Sequence, residues 1–134
     1  MADRIRLEIV TPEKEVFHAM VESFIVPSLL GSAGILYNHA PMLAVLEPGV
    51  IKYCKDNQEH YIAVGTGFME LRNNEAEILV NTAELSRDID IARAQAAAER
   101  AHRRLADKSA NIDRARAEAA LKRALARIKA TSAK

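Results

Sequence analysis

The sequence predicts a protein in two parts. An all-β N-terminal domain, a sandwich or barrel of roughly ten strands, spans residues 1–86, and an antiparallel two-helix hairpin spans residues 87–134. Three observations predict this division. The first two thirds of the chain is a succession of short apolar runs broken by Pro, Gly, Asn and Asp, with no helical periodicity. From Ile89 onward there is neither Gly nor Pro, Ala dominates, and one six-residue motif occurs twice. Charge divides with the pattern: residues 1–86 carry six Lys/Arg against twelve Asp/Glu, a net −6, whereas residues 87–134 carry thirteen against six, a net +7.

The strands can be taken in order. Arg4-Ile5-Arg6-Leu7-Glu8-Ile9-Val10 alternates cleanly and is stopped by Thr11-Pro12, which gives a strand with one wet face. Glu15-Val16-Phe17-His18 and Val21-Glu22-Ser23-Phe24-Ile25-Val26-Pro27 are two more strands, and Gly31-Ser32-Ala33-Gly34 breaks the chain before Ile35-Leu36-Tyr37. Pro48-Gly49 turns Leu43-Ala44-Val45-Leu46 into Val50-Ile51-Lys52-Tyr53-Cys54. Asp56-Asn57-Gln58 leads into His60-Tyr61-Ile62-Ala63-Val64, and Asn73-Asn74 joins Phe68-Met69-Glu70-Leu71 to Glu77-Ile78-Leu79-Val80.

The C-terminal third is one helical design written twice. Ile89-Asp90-Ile91-Ala92-Arg93-Ala94 returns 23 positions later as Ile112-Asp113-Arg114-Ala115-Arg116-Ala117. Asp90 and Asp113 are N-cap residues whose carboxylates can accept from the free N–H groups of a first helical turn. Glu99 with Arg103 and Glu118 with Lys122 have the favourable i,i+4 order. The expected apolar seam is Ala94, Ala98, Ala101 and Leu105 against Ala117, Leu121, Ala124 and Ile128, and the short segment 107–111 forces the helices antiparallel. Ala–Ala seams bury few methyl groups, so the hairpin is expected to open without losing its helices.

Arg93, Arg100 and Arg104 fall on one stripe of the first helix, and Arg116, Arg123 and Arg127 on the equivalent stripe of the second. A two-fold axis between the helices puts both stripes on one side, so six guanidiniums are expected to flank a groove suited to a polyanion. The same residues also read as a solvated basic face, and the sequence leaves the two readings open. The basic hairpin either rests on its own acidic first domain or seeks an acidic partner.

Several function classes find little support. No run approaches the about 18 apolar residues of a membrane span, so no direct membrane insertion is expected. The start carries an early acid and no apolar core, unlike a signal or transit peptide. The single Cys54 allows no internal disulfide and reads as an ordinary strand residue. His18, His60 and His102 lack metal-ligand spacing, and His39 reads as a structural loop residue. Gly65-Thr66-Gly67 lacks the Lys-Ser/Thr of a phosphate loop; its glycines read as turn or close-packing positions. No metal site, catalytic residue or required cofactor is expected. An alternative reading, a basic helical module binding nucleic acid or an acidic partner, is opposed by a net charge of +1, 4% aromatic content and the lack of a recognised motif.

Taken together, Gly34-Ile35-Leu36-Tyr37-Asn38-His39-Ala40-Pro41, Gly65-Thr66-Gly67-Phe68-Met69-Glu70-Leu71 and Ile89-Asp90-Ile91-Ala92-Arg93-Ala94, in this order and before a helical hairpin, resemble the ε subunit of bacterial F-type ATP synthase. The resemblance covers almost the whole chain. It departs at Ser32-Ala33, where the family has Glu-Leu, at Tyr37-Asn38, where it has Pro-Gly, and at Thr66-Gly67, where it has Gly-Gly.

The resemblance implies a ten-stranded β-sandwich that joins the γ subunit of the central stalk to the c-subunit ring, coupling proton translocation to ATP synthesis. It implies a non-catalytic rotor subunit, peripheral on the cytoplasmic side of the bacterial inner membrane. Its hairpin either folds onto the sandwich or extends into the α/β catalytic head, where it blocks ATP hydrolysis. In members that bind ATP as a regulatory ligand, the nucleotide stabilises the folded hairpin through Ile/Leu-Asp-x-x-Arg-Ala, matched here by Ile89, Asp90, Arg93 and Ala94. The upstream acid is matched by Glu84, and further arginines by Arg100, Arg116, Arg123 and Arg127.

Overall fold

Alternating burial along the first 85 residues builds ten strands in the computed structural model, which describes residues 3–108 and 113–132. They are β1 (Ile5–Val10), β2 (Glu15–Val21), β3 (Ser23–Ser28), β4 (Gly31–Leu36) and β5 (Met42–Leu46), then β6 (Gly49–Lys55), β7 (Gln58–Val64), β8 (Gly67–Arg72), β9 (Glu75–Val80) and β10 (Ala83–Leu85). A single 3₁₀ turn, Ser86–Asp88, leads into the helices α1 (Ile91–Ala106) and α2 (Arg114–Ser132).

The strands bond in the order β10-β7-β6-β3-β5-β8-β9-β1-β2, with β4 paired to β3. The path folds at β3, which runs along β6 but meets β5 only at Ser28↔Leu46. Two layers result, and the side chains facing inward from both make one core. Ile5, Leu7 and Ile9 of β1, Ile51 of β6, Ile62 of β7, Met69 and Leu71 of β8 and Ile78 of β9 are sealed within it. No residue of α1 or α2 belongs to this cluster.

Local chemistry fixes the turns. Asn73-Asn74 (φ 51° and 60°) and Asp56-Asn57 (φ 53° and 62°) take left-handed backbone at both central positions, the geometry whose twist matches a two-residue hairpin. Asn and Asp accept it because their short polar side chains bond the local backbone. Gly67 answers a different need: a Cβ there would lie 1.9 Å from the carbonyl oxygen of Leu79, so β8 and β9 can pair only over a hydrogen.

The structure departs from the sequence reading at three strands. Gly31-Ser32-Ala33-Gly34 does not break the chain but forms most of β4, paired with β3 from Ser28↔Gly31 to Ser23↔Leu36. Gly31 (φ 120°) supplies the tight turn after Leu29-Leu30, and small residues suffice on a strand that bonds a neighbour on one side only. Val21 closes β2 rather than opening β3, and β10 has only three residues, too few for a periodic signal.

The helices begin as their caps dictate. Asp90 Oδ1 accepts from Arg93 N at 3.0 Å, and Asp113 Oδ1 accepts from Arg116 N at 3.1 Å. Arg114 of α2 donates to the carbonyls of Leu105 (2.9 Å) and Asp107 (3.2 Å), so the start of α2 lies at the end of α1 and the pair is antiparallel. The segment expected to join the helices, 107–111, lies partly outside the described residues, as does Ile112 of the repeated motif. Ala94, Ala98 and Ala101 meet Ala117 and Ala124 in the buried seam, with Leu105, Leu121 and Ile128 half-buried. Glu99 and Arg103 pair at 2.6 Å, whereas Lys122 turns from Glu118 to Glu47 of the β5–β6 turn, at 2.8 Å. Docking of α2 on the sheet brings that carboxylate within reach.

Because the sandwich core is closed without the helices, a fragment ending at Ser86 will unfold in one cooperative urea transition followed by β-sheet circular dichroism. A sloping, non-cooperative loss of signal would show that the hairpin is needed to close the core. In the same assay Gly67→Ala will destabilise the full chain by about 1–3 kcal/mol, since backbone rather than a flexible side chain must move. An unchanged midpoint would mean that β8 and β9 separate freely.

Candidate functional site

The site is where the hairpin meets the sheet. One face of α2 closes the seam with α1; another, Ala126 and Ala130, packs on Ala63 of β7 and on Ile89, beside half-buried Val50 and Tyr61. This second apolar layer explains why β7 breaks alternation, with Ile62, Ala63 and Val64 all buried: both of its faces are covered. Small side chains on both surfaces let helix and sheet approach closely, but little apolar area is gained. Two ion pairs add to the contact. Arg127 Nε donates to Glu84 Oε1 of β10, and Lys122 Nζ donates to Glu47 Oε1. The Glu47 carboxylate holds the Lys122 ammonium above its usual pKa.

A cleft of about 460 Å³ opens between α1, the C-terminal half of α2 and β10. Arg93, Arg100 and Arg127 line it together with Glu84, Asp88 and Asp90, and Thr82, Ala94 and Ala97 complete its walls. Its volume lies within the range of small-molecule sites, about 300–1,000 Å³. Arg93 and Arg100 are exposed, while Arg127 and Glu84 are half-buried. The first turn of α1, where peptide N–H groups leave partial positive charge, forms one end of the cleft. Three guanidiniums therefore face three carboxylates, and one carboxylate, Glu84, is already engaged by Arg127.

Of the residues singled out in the sequence, Glu84, Asp90, Arg93, Ala94, Arg100 and Arg127 come together here. Ile89 is 9% exposed and packs among Ala63, Ala126 and Ala130 instead of lining the cleft. Arg123 borders a narrow crevice of about 10 Å³ with Thr82, Glu84 and Arg127, and also a second cleft of about 240 Å³ with Thr66, Asn81 and Lys122. Arg116 is exposed in the first turn of α2, eleven residues and so about 16 Å of helix away from Arg127. The expected single groove of six arginines is not formed. A two-fold axis between antiparallel helices brings the start of one beside the end of the other, so it sets Arg93 near Arg127 and leaves Arg104 and Arg116 at the opposite end. Thr82 and Asp88 were not legible as site residues; only the pairing of β10 with β7 carries them to the cleft.

Other residues of chemical interest have local partners. His39 Nδ1 lies 2.7 Å from the carbonyl oxygen of Ala40, a backbone contact of the structural kind expected for it. Cys54 donates its thiol to Glu22 at 3.1 Å; that bond pushes the thiol pKa up and the Glu22 carboxyl down. Gly65 and Gly67 are close-packing positions, as expected: a Cβ on Gly65 would lie 2.1 Å from Asn81 Oδ1. No group of three metal-ligating side chains occurs among the described residues.

Residues 4–86 match the family model described as ATP synthase, Delta/Epsilon chain, beta-sandwich domain, and residues 87–132 match its long alpha-helix domain. The chain belongs to the ATP synthase delta/epsilon family. Its relatives in this family include the ATP synthase epsilon chain of Pelotomaculum thermopropionicum, 46% identical over 109 residues and 81% of each chain. The epsilon chain of Carboxydothermus hydrogenoformans is 44% identical over 106 residues, 79% of each chain. A chain of the Euglena gracilis mitochondrial ATP synthase, from a structure of OSCP/F1/c-ring in rotational state 1, shares the fold. Its TM-score is 0.81 over 93% of this chain and 79% of that one, at 18% identity. A chain from the central stalk/c-ring structure of Tetrahymena thermophila mitochondrial ATP synthase gives 0.62 over 95% and 96%, at 19% identity. As an epsilon chain the protein is a subunit of a larger complex, and none of its described helices is long and apolar enough to cross a membrane.

The Lys122–Glu47 pair is one docking contact that alkali removes. Its raised pKa means that its contribution is complete below the free-lysine value of 10.5 and is lost as the pH rises through the docked value. Fluorescent labels at exposed positions 43 and 125 will therefore move apart above about pH 10.5 in the parent. In Lys122→Gln that alkaline step will be missing or reduced. An identical step in the variant would remove Lys122 from the docking balance.

Proposed function

We propose that this chain is a non-catalytic central-stalk subunit whose sandwich joins the γ subunit to the c ring, and whose hairpin regulates ATP hydrolysis by the α/β head. Family membership supports the first part, together with a sandwich core complete without the helices. In this reading the protein sits on the cytoplasmic side of the bacterial inner membrane, bound through its partners. The regulatory part is carried by one observation: the cleft of Arg93, Arg100 and Arg127 has walls from both the hairpin and β10. A ligand held there contacts both bodies and therefore favours the docked hairpin. Undocked, the hairpin is free to extend along γ and obstruct the head.

ATP fits this cleft as a regulatory ligand. Guanidiniums bind phosphate oxygens with paired N–H donors, and three of them line this cleft. Balancing this, three carboxylates line the same walls. Arg127 has to exchange Glu84 for phosphate, or bind with the guanidinium edge that Glu84 leaves open, so affinity depends on how that pair rearranges. A ligand restricted to the docked form stabilises it by about 2.7 kcal/mol at a hundredfold excess over Kd. Against an alanine interface and two half-exposed ion pairs, such a shift moves the population.

ATP titration of the full chain, followed by calorimetry, tests the ligand. Arg93→Ala and Arg127→Ala will each weaken binding by about tenfold or more, as expected when a charge-assisted contact is lost. Arg123→Ala will weaken it because Arg123 borders the crevice that joins Glu84 and Arg127. Arg116→Ala, at the other end of the hairpin, will stay within about twofold of the parent. Equal losses for Arg116→Ala and Arg127→Ala would place the nucleotide elsewhere. In the assembled enzyme, deletion of residues 87–134 will raise ATP hydrolysis while leaving assembly and ATP synthesis largely intact; unchanged hydrolysis would sink the inhibitory role.

A further inference from the structure

The sandwich has two outer faces, and the hairpin packs on the one formed by β6 and β7. The other is formed by β5, β8, β9 and β1, whose register sets the outward side chains in rows across the strands. The first row is apolar: Val45 stands opposite Phe68, and Phe68 opposite Leu79. The second is acidic: Glu70 stands opposite Glu77, Glu77 opposite Glu8, and Leu43 completes it on β5. Arg72, Glu75 and Arg6 make the third, of alternating sign.

Two properties of this face point to a protein partner. Leu43, Val45 and Phe68 are 71%, 58% and 44% exposed, at positions that an uncovered sheet face gives to polar residues. Beside them, between the second and third rows, lies a recess of about 160 Å³ where Glu8, Glu70, Glu75 and Glu77 stand against Arg6 and Arg72. Arg6 is drawn to Glu75, at 3.7 Å. Glu77 faces a like charge on either side, an arrangement that costs stability in the free chain. A hydrogen bond with Glu15 of β2, and repulsion from Glu15 and Glu77, hold the Glu8 carboxyl above its usual range, and Arg6 offsets this only in part. The recess is smaller than the about 300 Å³ at which small-molecule sites begin, but it admits the end of one side chain. A cation placed there relieves the repulsion.

We propose that γ is seated on this face by a segment that sets a lysine or arginine beside apolar side chains: the apolar part covers Leu43, Val45 and Phe68, and the cation enters the recess between Glu8, Glu70 and Glu77. The inference rests on the reading that the sandwich joins γ, and it names the chemistry of that contact. Apolar cover supplies affinity. The charge contact fixes register, because only one offset along the apolar row brings a cation to the carboxylates.

Cross-linking and titration in the assembled enzyme test it. Benzoylphenylalanine in place of Leu43 or Val45 will, on photolysis, attach to γ at a segment of apolar residues with a Lys or Arg within about four positions. Titration of the full chain onto enzyme stripped of it measures the contact. Glu70→Gln combined with Glu77→Gln, both exposed, will weaken binding by about tenfold and flatten its salt dependence. Phe68→Ser will weaken binding as well, yet leave the salt dependence of the parent. Cross-links to the c ring, or to the basic hairpin of a second copy, would overturn the γ reading and this inference with it. Cross-links to γ at a segment without a cation, or unchanged affinity and salt dependence in the double variant, would overturn this inference alone.

Discussion

The architecture depends on how closely α2 can approach β7. Ala126 and Ala130 sit on Ala63 with Ile89 beside them, and nothing larger than a methyl group separates helix from sheet at three of those four positions. That approach puts Arg127 against Glu84 and Lys122 against Glu47, and it closes one wall of the arginine cleft. A bulkier residue at Ala63 would hold the helix off the sheet and separate all of these at once. Small residues thus serve proximity and leave adhesion to a few contacts.

The balance of forces in the molecule follows from that choice. Inside the sandwich, large aliphatic side chains from both layers are fully buried, and burial of each contributes about 1.5–3 kcal/mol. The hairpin has its own seam of alanines and its own caps. Between the two bodies lie one isoleucine, several alanines, half-buried Val50 and Tyr61, and two ion pairs partly open to solvent. Ion pairs of that exposure are weak and salt-screened. The contact between helices and sandwich is therefore lightly built compared with the sandwich core.

The arginine cleft flanks this junction and joins α1 and α2 to β10. It arises where regular structure stops, at the capped start of α1. Irregular connectors leave polar groups and open edges that packed elements do not.

The sequence by itself determined most of the elements and the ends that carry local signals. Alternation marked strands such as Ile5–Val10 and Glu75–Val80, paired Asn residues marked a hairpin turn, and Asp90 and Asp113 marked the helix starts, because each of these is local chemistry. Arg93, Arg100 and Arg127 were also legible as cleft residues, since the arginines lie on predictable faces of two helices, and Glu84, Asp90 and Ala94 were legible through the family resemblance. The tertiary structure decided everything that needed a distant partner. It carried Thr82 and Glu84 beside the helices through a strand too short to show a period, redirected Lys122 from Glu118 to Glu47, and buried Ile89 beneath the cleft. It also separated Arg116 from Arg127, because antiparallel packing turns a shared stripe into two opposite ends. Periodicity specifies which way a side chain faces along its own helix. Only packing specifies what stands opposite.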